Sequence, residues 1–260
     1  MRENQQHIQF VRMTRSQDTL PDAFRTHLSA EDIRQNSTLQ SFEQIRGQLR
    51  VLERERRTID TILDVGCNRG GFVTALAAHL GAERVYGIET DSEMREHADS
   101  RGVETFAVDA ESEAFPIATD SVDLVLSFGL LEHLRYYDSL FSETNRVLDD
   151  GWFWVTSPNL ASWLNRIALL FGYQPRNVEL SRERAVGALP VYDRDEFLNH
   201  VHAPTYRALI ELLEQYGFEP ITSAPLMPYQ RGRVDALFDS LFSVRVGLSR
   251  RVSVLSKQSY

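Results

Sequence analysis

The chain has 260 residues, 42% of them apolar, a formal net charge of -9 and one cysteine, Cys67. That length supports one substantial core and leaves no room for a second full domain; the acidic balance argues against broad nucleic-acid binding, which needs a basic face. A single cysteine excludes intrachain disulfides and multi-cysteine metal sites, and with no charged-then-apolar leader and no apolar run near the roughly 20 residues that span a bilayer, a cytoplasmic protein is expected.

Residues 1–20 are polar without a clear period and are expected to be an arm that orders only on binding. From Ala30 to Glu55 the composition favours helix, and Leu39, Phe42, Ile45, Leu49 and Leu52 recur at spacings of three and four, the pattern of one buried face. Residues 1–58 therefore read as arm and helix, ahead of a domain over 59–260. The domain opens on Ile62 to Phe72, ILDVGCNRGGF. Thr61 to Val65 suits a buried strand, Gly66, Gly70 and Gly71 mark a turn that lets the backbone approach a ligand, and Phe72 to Leu80 continues as a helix stopped by Gly81.

Two nucleotide-type ligands use such a turn. Read as the dinucleotide fingerprint G-x-G-x-x-G, the run has Gly66 and Gly71 but Asn68 in the middle slot, and Asn tolerates the left-handed backbone required there. Asp64 discriminates further. A carboxylate at the carboxyl end of the strand, two residues before Gly66, would repel a pyrophosphate and suits a ligand with a positive amino-acid head. On these residues the chain resembles the class I S-adenosylmethionine-dependent methyltransferases, whose first motif is D-x-G-x-G-x-G, here Asp64, Gly66, Asn68 and Gly70. The resemblance implies a Rossmann-like, doubly wound, mainly parallel seven-stranded α/β sheet with an antiparallel C-terminal strand. It also implies S-adenosyl-L-methionine as cofactor; Cys67, within the binding turn, reads most simply as a small packed side chain.

Downstream, Arg84 to Ile88 reads as a second strand ending at Glu89, and Thr90 to Glu93 as a capping box that opens a helix. An acid about 20 residues after the turn accepts hydrogen bonds from ribose hydroxyls, so Glu89 and Thr90 are expected at the cofactor. Glu104 to Val108 is a third strand before Asp109 and Ala110, where the family places an acid that contacts the adenine amino group. Asp64, Glu89 and Asp109 each follow a successive strand, which brings them to one edge of a parallel sheet. Ser121 to Ser127 is a fourth strand running into Phe128 to Leu134, FGLLEHL, similar to the family's fourth motif. Ser127, Phe128 and Gly129 are then cofactor contacts, and the Leu-Glu-His run is expected to begin the next helix.

His133 has two readings: a base for a substrate hydroxyl, with Glu132 orienting it, or a residue that fixes the loop at a helix start. Some quinone-directed relatives hold a divalent metal with a further carboxylate three residues before the glutamate; that place is Gly129 here, and no metal is expected.

Tyr137 to Leu148 reads as a helix, Asp149 to Gly151 as a turn, and Trp152 to Ser157 as a fifth strand ended by Pro158 and Asn159. An apolar helix over Leu160 to Phe171 and a polar loop to Pro190 belong to an insertion at about 160–204, which in the resembled group covers the substrate and excludes water. Within it Asn199 to His202, NHVH, resembles a substrate-side loop, making His202 and Asn159 substrate-side candidates; a surface histidine is the alternative for His202. Thr205 to Tyr216 reads as a helix, with strands near Phe218 to Ser223 and Val252 to Leu255. Between them, Val234, Leu237, Phe238, Leu241 and Phe242 share a helical face ringed by Arg231, Arg233, Arg245, Arg250 and Arg251. That face either packs on the sheet with solvated arginines or touches an anionic membrane peripherally.

The resemblance implies methyl transfer to an oxygen of a small molecule, sugar or lipid-linked glycan. The competing readings are a non-catalytic module that keeps the cofactor pocket, with Asn68 as its best support, and a nicotinamide-dependent oxidoreductase, which Asp64 and FGLLEHL oppose.

Overall fold

A computed structural model of the protein describes residues 20–29, 32, 41–55, 57–181, 183–184, 186–190, 199–227 and 233–259. Among them, the apolar runs become β1 (Thr61–Val65), β2 (Arg84–Ile88), β3 (Glu104–Phe106), β4 (Val122–Phe128), β5 (Leu148–Pro158), β6 (Phe218–Leu226) and β7 (Arg251–Gln258). They form one sheet in the order β3-β2-β1-β4-β5-β7-β6. The pairs from β3 across to β5 are parallel, and β7 runs antiparallel to both β5 and β6. This is the expected Rossmann-like sheet with its antiparallel C-terminal strand. All five residues of β1 are buried, because a central parallel strand is covered by helices on both faces and needs no polar side.

Side chains alternate between the two faces. Leu124, Leu126, Trp152 and Trp154 join the core beneath α1 (Asp22–His27), α2 (Phe42–Glu53) and α3 (Gly71–Leu80). Val125, Phe153 and Val155 join the core beneath α5 (Asp138–Val147) and α7 (Tyr206–Gln215). Helix α4 (Ser92–Asp99) links β2 to β3, while α6 (Trp163–Leu170) and α8 (Arg233–Phe242) lie beyond β5 in the chain. No helix among the described residues is long and apolar enough to cross a membrane.

Several boundaries differ from the sequence reading. The arm at 1–19 and Leu39 lie outside the described residues, as do Arg231 and the side chains of Arg233 and Val234. The buried face expected of the first long helix holds in α2, where Phe42, Ile45, Leu49 and Leu52 are buried. Helix α1 has no counterpart in that reading, since its six residues are too few to show a period. Its Phe24 is fully buried against Phe42 and Phe72, at ring distances of 5.0 and 5.8 Å. The cap of α4 is Asp91, whose carboxylate accepts from the Glu93 and Met94 amides, rather than Thr90. Asp149 to Gly151 belong to β5 instead of a turn. Leu148 already pairs with Val122, and the extra length is absorbed by a register shift between Val122 and Leu124. The Leu-Glu-His run forms a separate 3-10 turn, Leu131–His133, and α5 begins only at Asp138.

Candidate functional site

The strand order reverses between β1 and β4, where the crossovers leave on opposite faces and a crevice opens at the carboxyl ends. The turn after β1 lines it. Gly66 (φ 81°), Asn68 (φ 49°) and Gly70 (φ 71°) are all left-handed, so Asn68 takes the conformation its motif position requires. A Cβ on Gly66 would meet Leu130 at an ordinary 3.4 Å, so it is the left-handed backbone, not lack of space, that calls for glycine there. The turn is fastened to β2, because the Gly66 and Cys67 amides both donate to the Ile88 carbonyl, at 2.8 and 3.1 Å. Glu89 completes the tie, accepting from the Asn68 and Asp91 amides at 3.0 Å each. A carboxylate has about four acceptor directions, so Glu89 retains capacity for a ligand hydroxyl.

Asp64 stands at the base of this crevice, only 6% exposed. Burial, reinforced by the nearby Glu89 carboxylate, pushes its pKa up to about 7. A group held there at the cost of its ionised form suits a site that receives a positive charge. Burial also pushes the Cys67 thiol up, with Asp64 and Glu89 adding to it, so Cys67 is a neutral packed group.

The opposite wall comes from the end of β4. Phe128 lies edge-on to Phe72 and Trp154, at ring distances of 4.9 and 5.3 Å, and the Gly129 amide donates to Thr156 Oγ1 at 3.1 Å. Glu132 and His133 follow in the 3-10 turn. Glu132 is 2% exposed; its Oε1 lies 3.2 Å from an Arg251 guanidinium nitrogen. His133 Nδ1 is 3.0 Å from the Asn199 carbonyl, and its ring meets His200 edge-on at 5.3 Å. Burial, with His133, Arg251 and Arg176 nearby, pushes His200 down to about 3, so its ring is neutral at ordinary pH. The whole crevice has a volume of about 540 Å³, within the roughly 300–1,000 Å³ of small-molecule sites.

Of the residues singled out in the sequence, Asp64, Gly66, Cys67, Asn68, Glu89, Thr90, Phe128, Gly129, Glu132 and His133 line this crevice. Gly70 shapes the turn behind it. The Asp109 carboxylate instead holds its own loop, accepting from the Glu111 amide and Ser112 hydroxyl, and Ala110 is buried in the core. Ser127 is buried within β4. Asn159 is fully buried, its amide donating to Gly247 and Ser249 carbonyls while its oxygen accepts from Ala161 and Tyr206 amides. His202 stacks on Tyr137, with Nε2 2.8 Å from the Arg135 carbonyl. The crevice also takes Asp32, Arg69, Leu130, His200 and Arg251, to which the sequence reading gave no site role. Of the C-terminal arginines, Arg245 is exposed as the packing alternative had it, whereas Arg251 pairs with Glu132, and Arg250 pairs with Asp239 and lies over Trp163. Trp163 in turn stacks on Phe242, so α8 packs against α6.

Residues 63–155 match the family model described as a methyltransferase domain. No curated protein matches the sequence. Among solved structures, the chain is similar to a putative S-adenosylmethionine-dependent methyltransferase from Listeria monocytogenes, with 19% identity, TM-score 0.54, and 83% of this chain and 99% of that one covered. It is similar to a putative methyltransferase from Bacillus halodurans at 16% identity and TM-score 0.55, over 82% of this chain and 98% of that one. It is also similar to geranyl diphosphate C-methyltransferase from Streptomyces coelicolor, solved with Mg2+, geranyl diphosphate and S-adenosyl-L-homocysteine. There the identity is 16% and the TM-score 0.53, over 82% of this chain and 77% of that one.

Proposed function

We propose that this chain is a class I S-adenosylmethionine-dependent methyltransferase and that it transfers the methyl group to an oxygen of a small molecule, sugar or lipid-linked glycan. The observation that carries the reading is the convergence of Asp64, the left-handed Gly66–Asn68–Gly70 turn and Glu89 at the reversal of strand order. These residues fit the cofactor: Asp64 faces its amino-acid head, Glu89 and Thr90 its ribose, and Phe128 and Gly129 the wall beside it. Bound there, S-adenosylmethionine supplies an activated methyl group on a sulfonium that leaves as a neutral thioether. The chain's own part is then mainly alignment and exclusion of water, and alignment alone is worth several orders of magnitude in rate.

The acceptor end is the cluster of Glu132, His133, His200 and Arg251. A polar cluster there suits an acceptor that must lose a proton as it reacts, and His133 marks the place where an acceptor oxygen gives it up. Asp109, Ala110 and Ser127 remain proposed cofactor-side residues through their places at the ends of β3 and β4, and Asn159 and His202 remain proposed supports of the acceptor side. Leu169 and Leu170 at the end of α6 and the following Phe171 are exposed, an apolar surface that suits a lipid-linked acceptor.

A labelled-methyl assay against sugars, phenols and glycolipids, each paired with its deoxy analogue, tests the acceptor class. The expected result is label on hydroxyl-bearing acceptors and none on their deoxy partners. Label on an amine or a carbon instead would overturn the oxygen assignment.

A further inference from the structure

We infer that Glu132, His133 and His200 form a binding site for a first-row divalent transition ion, of the zinc, cobalt or manganese kind, at the acceptor end of the crevice. Each offers one ligand atom, and the three atoms lie within 4.8 Å of one another. Donors about 2.1 Å from a shared ion stand roughly 3 to 4 Å apart, so small side-chain rotations complete the geometry.

Two buried polar atoms without a partner in the chain point to a ligand here. Glu132 Oε2 and His200 Nδ1 are both buried, and neither has a hydrogen-bond partner among the described residues. Glu132 is 2% and His200 9% exposed, and a buried polar group left unpaired is costly. A cation answers both at once.

The surroundings are arranged as a ligand set requires. Arg251 holds Glu132 through Oε1, leaving Oε2 as the unpaired donor. The Asn199 carbonyl accepts from His133 Nδ1, which puts the lone pair on Nε2; such a second contact orients a ligating imidazole. The loop carrying His200 is tied to the turn carrying the other two ligands, because the Val201 amide donates to the Glu132 carbonyl at 2.8 Å. The His200 amide donates to Glu179 Oε2 at 3.0 Å, fixing the backbone of the third ligand. Two imidazoles and one carboxylate favour a transition ion over magnesium or calcium, and three protein ligands leave positions open for an acceptor oxygen.

The inference rests on the methyltransferase reading of the crevice and gives His133 the part of a ligand. An acceptor hydroxyl bound to the ion has its pKa lowered. Its O–H bond then breaks with the electron pair staying on the metal-held oxygen and the proton passing to water; nothing is oxidised or reduced.

The test is titration of the tag-free full chain with Co2+, read by calorimetry and by the visible spectrum of the ion, alongside titration with S-adenosylhomocysteine. Wild type is expected to bind one Co2+ with bands of nitrogen and oxygen ligation. His200→Ala and Glu132→Gln should each weaken Co2+ by 10- to 100-fold without changing S-adenosylhomocysteine affinity, and Asp64→Ala should do the reverse. If His200→Ala fails to fold by circular dichroism, His200→Gln replaces it. No Co2+ binding by wild type, or binding unmoved by these variants, would overturn the metal site even where S-adenosylhomocysteine binds. Loss of S-adenosylhomocysteine binding in wild type would instead strike the methyltransferase reading.

Discussion

Asp64→Asn stabilises the folded chain at pH 8, and the gain shrinks as the pH falls. In the folded protein burial and Glu89 hold the Asp64 proton to about pH 7, whereas in the unfolded chain it leaves near the ordinary value of 3.8. Between those values the folded state binds more protons than the unfolded one, so this group makes stability fall as pH rises. The full cost is present above pH 7 and amounts to at most about 4 kcal/mol. Asn keeps the shape and carries no charge to desolvate. The melting temperature of Asp64→Asn should therefore exceed that of wild type by several degrees at pH 8, at roughly 2–4 °C per kcal/mol. The difference should narrow steadily from pH 7 to pH 4.5. A difference independent of pH, or a variant less stable at pH 8, would contradict the assignment. The same variant should lose cofactor affinity, because a carboxylate kept at a cost in stability is one whose charge serves the ligand.

Trp154→Ala removes the largest support of the crevice wall and should cost about 4 kcal/mol, near the middle of the range for large aromatic truncations. Trp154 is 1% exposed and lies edge-on to Phe72 and Phe128. Its indole N–H donates to Ser253 Oγ at 2.8 Å and reaches Gln48 Oε1 at 3.2 Å, while Ser253 Oγ donates to Gln48 Oε1 at 2.7 Å. Gln48 then donates to the Thr222 and Ser253 carbonyls, so one buried network joins α2, β5, β6 and β7. Truncation leaves a cavity and removes a donor from two buried oxygens, whereas Trp154→Phe keeps most of the packing and should cost about 1–2 kcal/mol. Urea midpoints for the two variants separate these terms. Equal losses for Ala and Phe, or a loss under about 1 kcal/mol for Ala, would show that Trp154 does not carry this part of the core.

What was legible in the sequence follows from distance along the chain. The parallel strands read clearly because burial on both faces leaves an unbroken apolar run, as in Thr61–Val65 and Val122–Phe128. Asp64, the turn and Glu89 were readable because one local motif and one following strand place them. Helix α1 was not, since a six-residue segment shows no period and Phe24 acquires its role only from Phe42 and Phe72.

The Glu132–His200 end of the crevice was half legible for the same reason. FGLLEHL marked Glu132 and His133, and NHVH spans the loop that reaches the crevice. Within that loop His200 faces the crevice, while His202 turns to Tyr137 and Arg135. Arg251 stands 119 residues from its partner Glu132, and no local pattern announces such a pair. The expected turn at Asp149 to Gly151 failed because pairing of Leu148 with Val122 outweighs the local turn preference of Asp and Gly.

Calorimetric titration with S-adenosylmethionine, its demethylated product and NAD, using wild type and Asp64→Ala, tests the central claim most directly. Binding of the first two, weakened by the substitution and absent for NAD, is the predicted result. Binding of NAD alone, or of none of the three, would contradict the methyltransferase account.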